Sequence, residues 1–114
     1  MNPATDKSES FMAMSAKSLL TRHNLPMDAA TLSNGLILAG LLERKTYLST
    51  TGSGEVKHFL AFTGAGESFG KNAQSGWHEI KTEPKFYKDK FAIAYLYAAN
   101  AILKHGQDMF GQTS

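Results

Sequence analysis

The chain contains no cysteine and carries little excess charge, and both shortages restrict what it can do. Without cysteine it cannot form a disulfide, a thiolate zinc site or a cysteine nucleophile, and this composition is typical of a reducing compartment. Twelve Lys and Arg residues against ten Asp and Glu residues leave a formal net charge of +2, which is only mildly basic. We therefore expect a cytoplasmic protein whose charge alone does not select a partner.

Long apolar runs are also missing. The longest, residues 91–103, is interrupted by Asn100 and falls well short of the roughly 20 residues that span a bilayer, so no membrane contact is expected. Residues 1–10 are polar and of mixed charge, unlike a secretory signal, and we expect a frayed tail there and another over residues 106–114. The remaining residues, 11–105, are expected to form one domain with a real core, since 42% of the chain is hydrophobic.

The residue patterns that mark catalytic, metal or nucleotide sites are absent from the sequence. The four histidines never share the spacing of metal ligands. The glycine-rich segment 64–72 departs from a phosphate-binding loop at Ala65 and Asn72. No serine is marked as activated, and Glu79 and Glu83 are expected to be solvated surface residues. We expect no enzymatic activity, no metal and no cofactor.

Two short helices joined by a tight turn are predicted in the first third of the chain. The first covers residues 11–23, or a shorter segment beginning after a cap, and the second has an inner apolar stripe that continues to about Leu42. The residues that set these boundaries are Ser15 and Asp28 as helix caps, and Asn24 and Pro26 in the turn.

A β-hairpin and a last helix are predicted to follow. Residues 45–51 and 56–63 are rich in strand-forming residues and flank a glycine-rich tip. Residues 64–76 are expected to form a long loop, with a short strand over residues 77–80. The helical pattern then covers residues 86–105 and is expected to end at Gly106.

This order of elements predicts an α+β fold, a small winged helix-turn-helix whose hairpin is the wing and which ends in a C-terminal helix. Its second helix would read the major groove of double-stranded DNA, and the candidates on that helix are Thr31, Ser33 and Asn34. The candidates for DNA phosphate contacts are Arg44, Lys45, Lys57, Lys71 and Asn72. The alternative is that the polar positions of the second helix are simply solvated.

The last helix points to a second kind of partner, because Asn100 is almost its sole polar residue between residues 91 and 103. A helix that is apolar on all sides is buried, either within its own domain or against another chain. We expect a homodimer, with full burial in the monomer as the alternative. The candidate interface residues are Trp77, Ile93, Leu96, Tyr97 and Asn100. Trp77 has the further alternative of folding back onto the core.

Several segments resemble a known family. They are Ser15-Ala-Lys-Ser-Leu-Leu, Asn24-Leu-Pro, Ala39-Gly-Leu-Leu-Glu-Arg, Leu60-Ala-Phe-Thr-Gly-Ala-Gly, Phe69-Gly-Lys-Asn and Thr82-Glu-Pro-Lys-Phe-Tyr-Lys-Asp-Lys-Phe. Together they are similar to the C-terminal, KilA-C-type domains of phage antirepressors. The resemblance extends over about residues 15–91.

This resemblance implies a bacteriophage or prophage protein of the bacterial cytoplasm that binds DNA or regulates a phage repressor, without enzymatic activity. The chain departs from this family in two respects. Antirepressors usually carry an additional N-terminal domain, which we do not expect here, and the second helix of this chain is poor in basic residues. These departures leave open an alternative function, a protein-binding module that modulates a host or phage protein through its last helix and its aromatic loop.

Overall fold

The structure, a computed structural model, describes residues 13–49, 54–74 and 80–111. It is a small α+β domain built from α-helices and antiparallel strands, as the sequence predicts at that level. In chain order the elements are β1 (Ala13–Met14), α1 (Ala16–Arg22), α2 (Ala29–Leu38), β2 (Leu42–Leu48), β3 (Val56–Phe62), a 3₁₀ helix (Gly64–Phe69), β4 (Gly70–Gln74), β5 (Thr82–Tyr87) and α3 (Phe91–Phe110).

The strands form two antiparallel sheets. Strands β2 and β3 make a hairpin in register from the Leu42 and Phe62 pair to the Leu48 and Val56 pair. The other sheet has the order β1-β5-β4, with β5 paired on both sides. The second sheet joins the residues before α1 to the segment before α3, so α1, α2 and the hairpin lie between its strands β1 and β5 in the sequence.

The caps and the turn that were predicted for the two short helices are confirmed. The Ser15 hydroxyl accepts a hydrogen bond from the Ser18 amide at 3.2 Å, so the first helix begins after Ser15 rather than at residue 11. The Asp28 carboxylate accepts one from the Thr31 amide at 2.7 Å at the start of α2. Between them Asn24 has a φ of 53°, the left-handed conformation that ends a helix.

Helix α2 ends at Leu38, four residues before the Leu42 boundary that its apolar stripe predicted. Gly40 has a φ of 80°, and the amides of Gly40 and Leu41 donate to the carbonyls of Ile37 and Leu36. This paired arrangement is a Schellman motif, which closes the last turn and redirects the chain. Leu42 therefore begins β2 instead of ending a helix, and the hairpin starts three residues earlier than expected.

The predictions for the loop and for the start of the last helix are wrong. Residues 64–74 form the 3₁₀ helix and strand β4 rather than a loop. Residues 86 and 87 belong to β5, so the last helix begins at Phe91. Strand pairing decides this segment, because Phe86 lies opposite both Met14 and Gly70 and is 1% exposed.

The last helix also extends past Gly106, where the sequence predicts its end, and runs to Phe110. Residues 106–110, expected in the C-terminal tail, are therefore helical. The predicted strand over residues 77–80 falls largely outside the described residues, as does the hairpin tip; Ile80 itself is not in a strand.

The buried core consists of leucines, alanines and three aromatic rings from the three helices and from strands β2, β3 and β5. Leu19, Leu32 and Leu36 bring α1 and α2 together. The rings of Phe62, Phe86 and Phe91 follow each other edge to face, with centroids 5.0 Å and 5.5 Å apart, a favourable aromatic geometry. No polar or charged side chain is buried within the described ranges. No helix among those residues combines the length and the apolarity needed to cross a membrane.

Candidate nucleic-acid interface

Helix α2 has one outward face, and two of the three candidate reading residues lie on it. Leu32, Gly35 and Leu36 are buried, and the face opposite to them is exposed. Its members are Ala30, Thr31, Asn34 and Leu38. Thr31 and Asn34 are three residues apart, so their side chains are neighbours on the helix surface. Ser33 lies off this face and is only partly exposed.

The N-terminus of α2 carries a negative charge. Hydrogen bonds from the Thr31 side chain and from the Thr31 amide lower the pKa of the Asp28 carboxyl below its ordinary value of 3.8, because they stabilise the carboxylate. Asp28 is therefore ionised at neutral pH. It occupies the helix end that would otherwise attract a phosphate group.

The hairpin carries cations on both of its faces. Lys45 lies opposite Phe59 and Lys57 lies opposite Tyr47, while Arg44 lies opposite Leu60. Directly opposed residues share a face and neighbours along a strand alternate, so Lys45 and Lys57 lie on one face and Arg44 on the other. All three cationic side chains are exposed.

The hairpin is anchored in the core at its inner end, whereas Leu48 and Val56 near its outer end are exposed. Leu42 and Phe62 are paired in the core at 2% and 4% exposure. Further out, the rings of Tyr47 and Phe59 pack at 5.8 Å, and the Ser49 amide donates to the Glu55 carbonyl at 2.8 Å. The pairing register therefore continues along the described ladder and sets the backbone positions of its cations.

The glycine-rich segment after β3 braces the base of this hairpin. The Thr63 hydroxyl donates to the Gly40 carbonyl at 2.7 Å and accepts from the Gly66 amide at 3.2 Å. The Thr63 amide donates to the Leu41 carbonyl at 3.0 Å. Gly66 lies so close to the Leu41 carbonyl that a Cβ would collide with it. The segment is pressed onto the junction between α2 and β2.

Asn72, a predicted phosphate ligand, has a different structural task. Its Oδ1 accepts from the Phe62 amide at 2.8 Å, and its Nδ2 donates to the Phe62 carbonyl at 3.5 Å. The side-chain amide thereby substitutes for a neighbouring strand along β3. Both polar atoms of the Asn72 side chain are therefore engaged by the backbone of β3.

Lys71 does lie on an exposed surface, and the structure adds a second lysine beside it. Lys71 of β4 is directly opposite Lys85 of β5, and Lys85 forms an ion pair with Glu83 at 3.4 Å. Two like charges placed opposite each other repel, and the Glu83 carboxylate offsets part of this repulsion. The sequence did not single out Lys85 as a neighbour of Lys71, because Lys71 was assigned to a loop. The alternation of Glu83 and Lys85 around Pro84 was the signal that could have indicated a strand there.

Helix α1 contributes a further lysine near the start of α2. A cavity of about 590 Å³ is lined by residues of both helices and of the turn between them, among them Lys17, Thr21, Asn24, Asp28 and Ala30. Lys17 and Thr21 are exposed and four residues apart on α1, so they share a face. The exposure of Lys17 and Thr21 could have been predicted from the sequence, because Leu19 and Leu20 mark the buried side of the same helix.

Four of the five predicted interface residues lie on α3, and all four are exposed. They are Ile93, Leu96, Tyr97 and Asn100; Trp77 is outside the described residues. The alternative of full burial within the monomer is wrong, because Leu96 is 59% exposed. The Tyr97 ring also contacts Phe69 edge to face at 5.8 Å, which ties this face to the 3₁₀ helix.

Within the described ranges, no group of three or more His, Asp and Glu side chains is arranged to hold a metal ion. Comparisons with protein-family models, with curated proteins and with solved structures found no match for this chain.

Proposed function

We propose that the protein binds double-stranded DNA as a winged helix-turn-helix and acts as a phage-type regulator of transcription or of a repressor. In this proposal α1 and α2 form the helix-turn-helix, and the hairpin of β2 and β3 is the wing. The observation that carries it is the outward polar pair Thr31 and Asn34 on a helix that leads directly into a hairpin with exposed cations on both faces. The KilA-C-type resemblance points the same way.

Base reading falls to the outward face of α2. Asn34 has the amide that pairs in bidentate fashion with adenine, and Thr31 and Ala30 offer methyl groups to thymine. The face is narrow, because the apolar Leu38 follows Asn34 after a single turn. A short sequence preference of one or two base pairs for each protein copy follows.

Phosphate contacts fall mainly to the wing, because Asp28 makes the N-terminus of α2 repel phosphate. A hairpin that lies in a groove faces a phosphate chain on each side. Lys45 and Lys57 would meet one chain and Arg44 the other. Lys17 beside α2 adds a contact at the start of the reading helix.

A salt titration tests the wing. Binding of a labelled 25-base-pair duplex, measured by fluorescence anisotropy, is expected to weaken steeply with salt, with a slope of roughly one for each phosphate neutralised. The double variant Lys45→Ala/Lys57→Ala is expected to lower that slope by about 2. Lys90→Ala/Lys104→Ala removes the same charge outside α2 and the hairpin, and it should leave the slope nearly unchanged. No binding by the unaltered protein at tens of micromolar in low salt refutes the proposal.

A base-reading test isolates α2. After selection of preferred sites from a random duplex pool, Asn34→Ala is expected to lose about 1–3 kcal/mol of discrimination at one adenine. Ser33→Ala, on the neighbouring position off the outward face, should retain the preference. Equal preferences for Asn34→Ala and the unaltered protein would show that α2 does not read bases.

The alternative function is protein binding through α3, and the exposure of Ile93, Leu96 and Tyr97 favours it. It predicts a protein that binds no duplex DNA and that retains one stoichiometric partner from a bacterial lysate. Loss of that partner in Leu96→Asp, together with the absence of DNA binding, would support this function over the first.

A further inference from the structure

We infer that α3 is the seam of a symmetric antiparallel homodimer, with the two-fold axis level with Ala101. The inference rests on the surface of α3 and holds whether or not the protein binds DNA. One stripe of α3 repeats at alternating intervals of four and three residues, the spacing of a helix-helix seam. Its members alternate between small and large: Ala92, Leu96, Ala99, Leu103, Gly106 and Phe110.

The large members of this seam are strongly exposed. Leu96, Leu103 and Phe110 are 59%, 60% and 78% exposed, and the neighbouring Ile93 and Met109 are 47% and 59% exposed. Side chains of this size carry on the order of 100–200 Å² each, so the face presents roughly 500 Å² of apolar surface. A symmetric pair would then bury about 1,000 Å², the minimum area expected of a specific interface.

Side-chain size selects the antiparallel register. With the axis level with Ala101, Leu96 lies opposite Gly106 of the second copy, and Ala99 lies opposite its Leu103. The outermost pair is Ala92 and Phe110, so every large residue meets a small one. A parallel pair would stack Leu on Leu and Phe on Phe, and it would leave voids where Ala and Gly face each other.

A cavity lies where the outermost pair would form. It has a volume of about 450 Å³, and Leu25, Phe91, Ala92 and Tyr95 are among the residues around it. The stacked rings of His23 and Phe91, 6.2 Å apart, stand at its side. Phe110 of the second copy would lie over Ala92 and enter this cavity. By symmetry, the first copy fills the equivalent cavity of the second.

The absence of charge beside the seam and the antiparallel arrangement of the helices both favour a second copy of α3 as the occupant. The positions that flank the seam, Ile93, Asn100 and Gln107 on one side and Tyr95, Ile102 and Met109 on the other, carry no charge. An antiparallel pair also sets opposite helix dipoles side by side. A Cβ at Gly106 would have no atom within 4 Å in the monomer, so this end of α3 has room for the leucine of a second copy.

The association state provides the first test, by light scattering and sedimentation at concentrations from one to one hundred micromolar. The unaltered protein is expected to be a dimer, and Leu103→Asp is expected to weaken it on the order of 100-fold or more, since two leucines are lost from each pair. His105→Asp introduces the same residue on another face of α3 and should remain dimeric. A monomer throughout this range overturns the inference, as does a trimer or a larger assembly.

Cysteine crosslinking tests the register, and the absence of native cysteine makes each crosslink unambiguous. Ala99→Cys and Leu103→Cys proteins of different mass, one with a fusion tag, are mixed and oxidised. The antiparallel register predicts the mixed disulfide as the main product, because these positions face each other across the seam. Predominant same-residue crosslinks indicate a parallel pair and contradict the inference. A dimer that forms no crosslink at these positions places the interface elsewhere and contradicts it equally.

Discussion

Helices α2 and α3 pack against each other, yet their outward faces have opposite chemistry. At their crossing, a Cβ on Gly35 would lie 2.8 Å from the Ala98 carbonyl oxygen, so the two backbones approach closely. Away from the crossing, α2 presents Thr31 and Asn34, whereas α3 presents Leu96 and Leu103. The buried faces hold the two helices in the fold, and the outward faces indicate the kind of partner that each helix suits.

This difference shows that, on both helices, the face that forms the core is distinct from the face that is available to a partner. Both helices contribute buried residues to one core, including Leu32 and Leu36 from α2 and Ala94 and Ala98 from α3. Only the polar outward face suits the edges of bases, which need hydrogen-bond donors and acceptors. Only the apolar one suits another protein surface, since apolar patches of this size mark such contacts.

The largest effect is expected from breaking the crossing itself. Gly35→Ala places a Cβ against the Ala98 backbone and is expected to destabilise the fold by about 1–3 kcal/mol through overpacking. Gly106→Ala on α3 places its Cβ in open space. It is expected to stabilise the fold by up to about 1 kcal/mol, because alanine has the higher helix propensity. Both are measured by urea unfolding in the Leu103→Asp background, so that association does not contribute. Shifts of the same sign would contradict the close approach.

An intermediate effect is expected at the caps, where the helices differ again. Asp28 caps α2, whereas Lys90 at the start of α3 makes no side-chain cap bond. Asp28→Ala is expected to lower Tm by roughly a few degrees.

This effect has a defined pH dependence. The folded pKa of Asp28 lies below 3.8, so its ionised form contributes stability above that pH. The contribution disappears as the pH falls below 3.8 through the folded pKa. The Tm difference between the unaltered protein and Asp28→Ala should therefore shrink in that range. Asp28→Asn retains an oxygen acceptor without a titrating group, and its difference from Asp28→Ala should stay constant with pH.

The smallest effect is expected from giving α3 the favourable charge that α2 already has. Lys90→Glu replaces a cation at the positive end of the helix dipole and is expected to stabilise the fold by about 0.3–1 kcal/mol at low salt. Lys90→Gln should show a fraction of this gain. Thermal unfolding at low and high salt measures it, and a gain that survives high salt would point to a cause other than the dipole.

Sequence reasoning located the regions of the fold whose signals are local. Ser15, Asn24 and Asp28 act through bonds or dihedral angles within a few residues of themselves, so residue type and spacing were enough to place them. Gly40 carried a local signal as well, but the apolar residues after it concealed the end of α2. An apolar stripe continues as readily into a buried strand as into a helix.

The features that sequence reasoning missed depend on partners distant in the chain. Strand β5 exists because it pairs with β1 and β4, and no pattern within residues 82–87 names those partners. Asn72 is structural because its amide reaches the Phe62 backbone. Lys85 joins the surface of Lys71 through strand register.

The outward faces of α2 and α3 show the same division between sequence and structure. The sequence by itself determined that both segments are helical, that α2 carries Thr31 and Asn34 at neighbouring positions, and that α3 is almost free of charge between residues 91 and 103. Only the tertiary structure decided which apolar residues of α3 stay exposed, because burial depends on where Gly35 lets α2 approach Ala98. Composition sets the chemistry of a helix, and packing selects which side of it remains available to a partner.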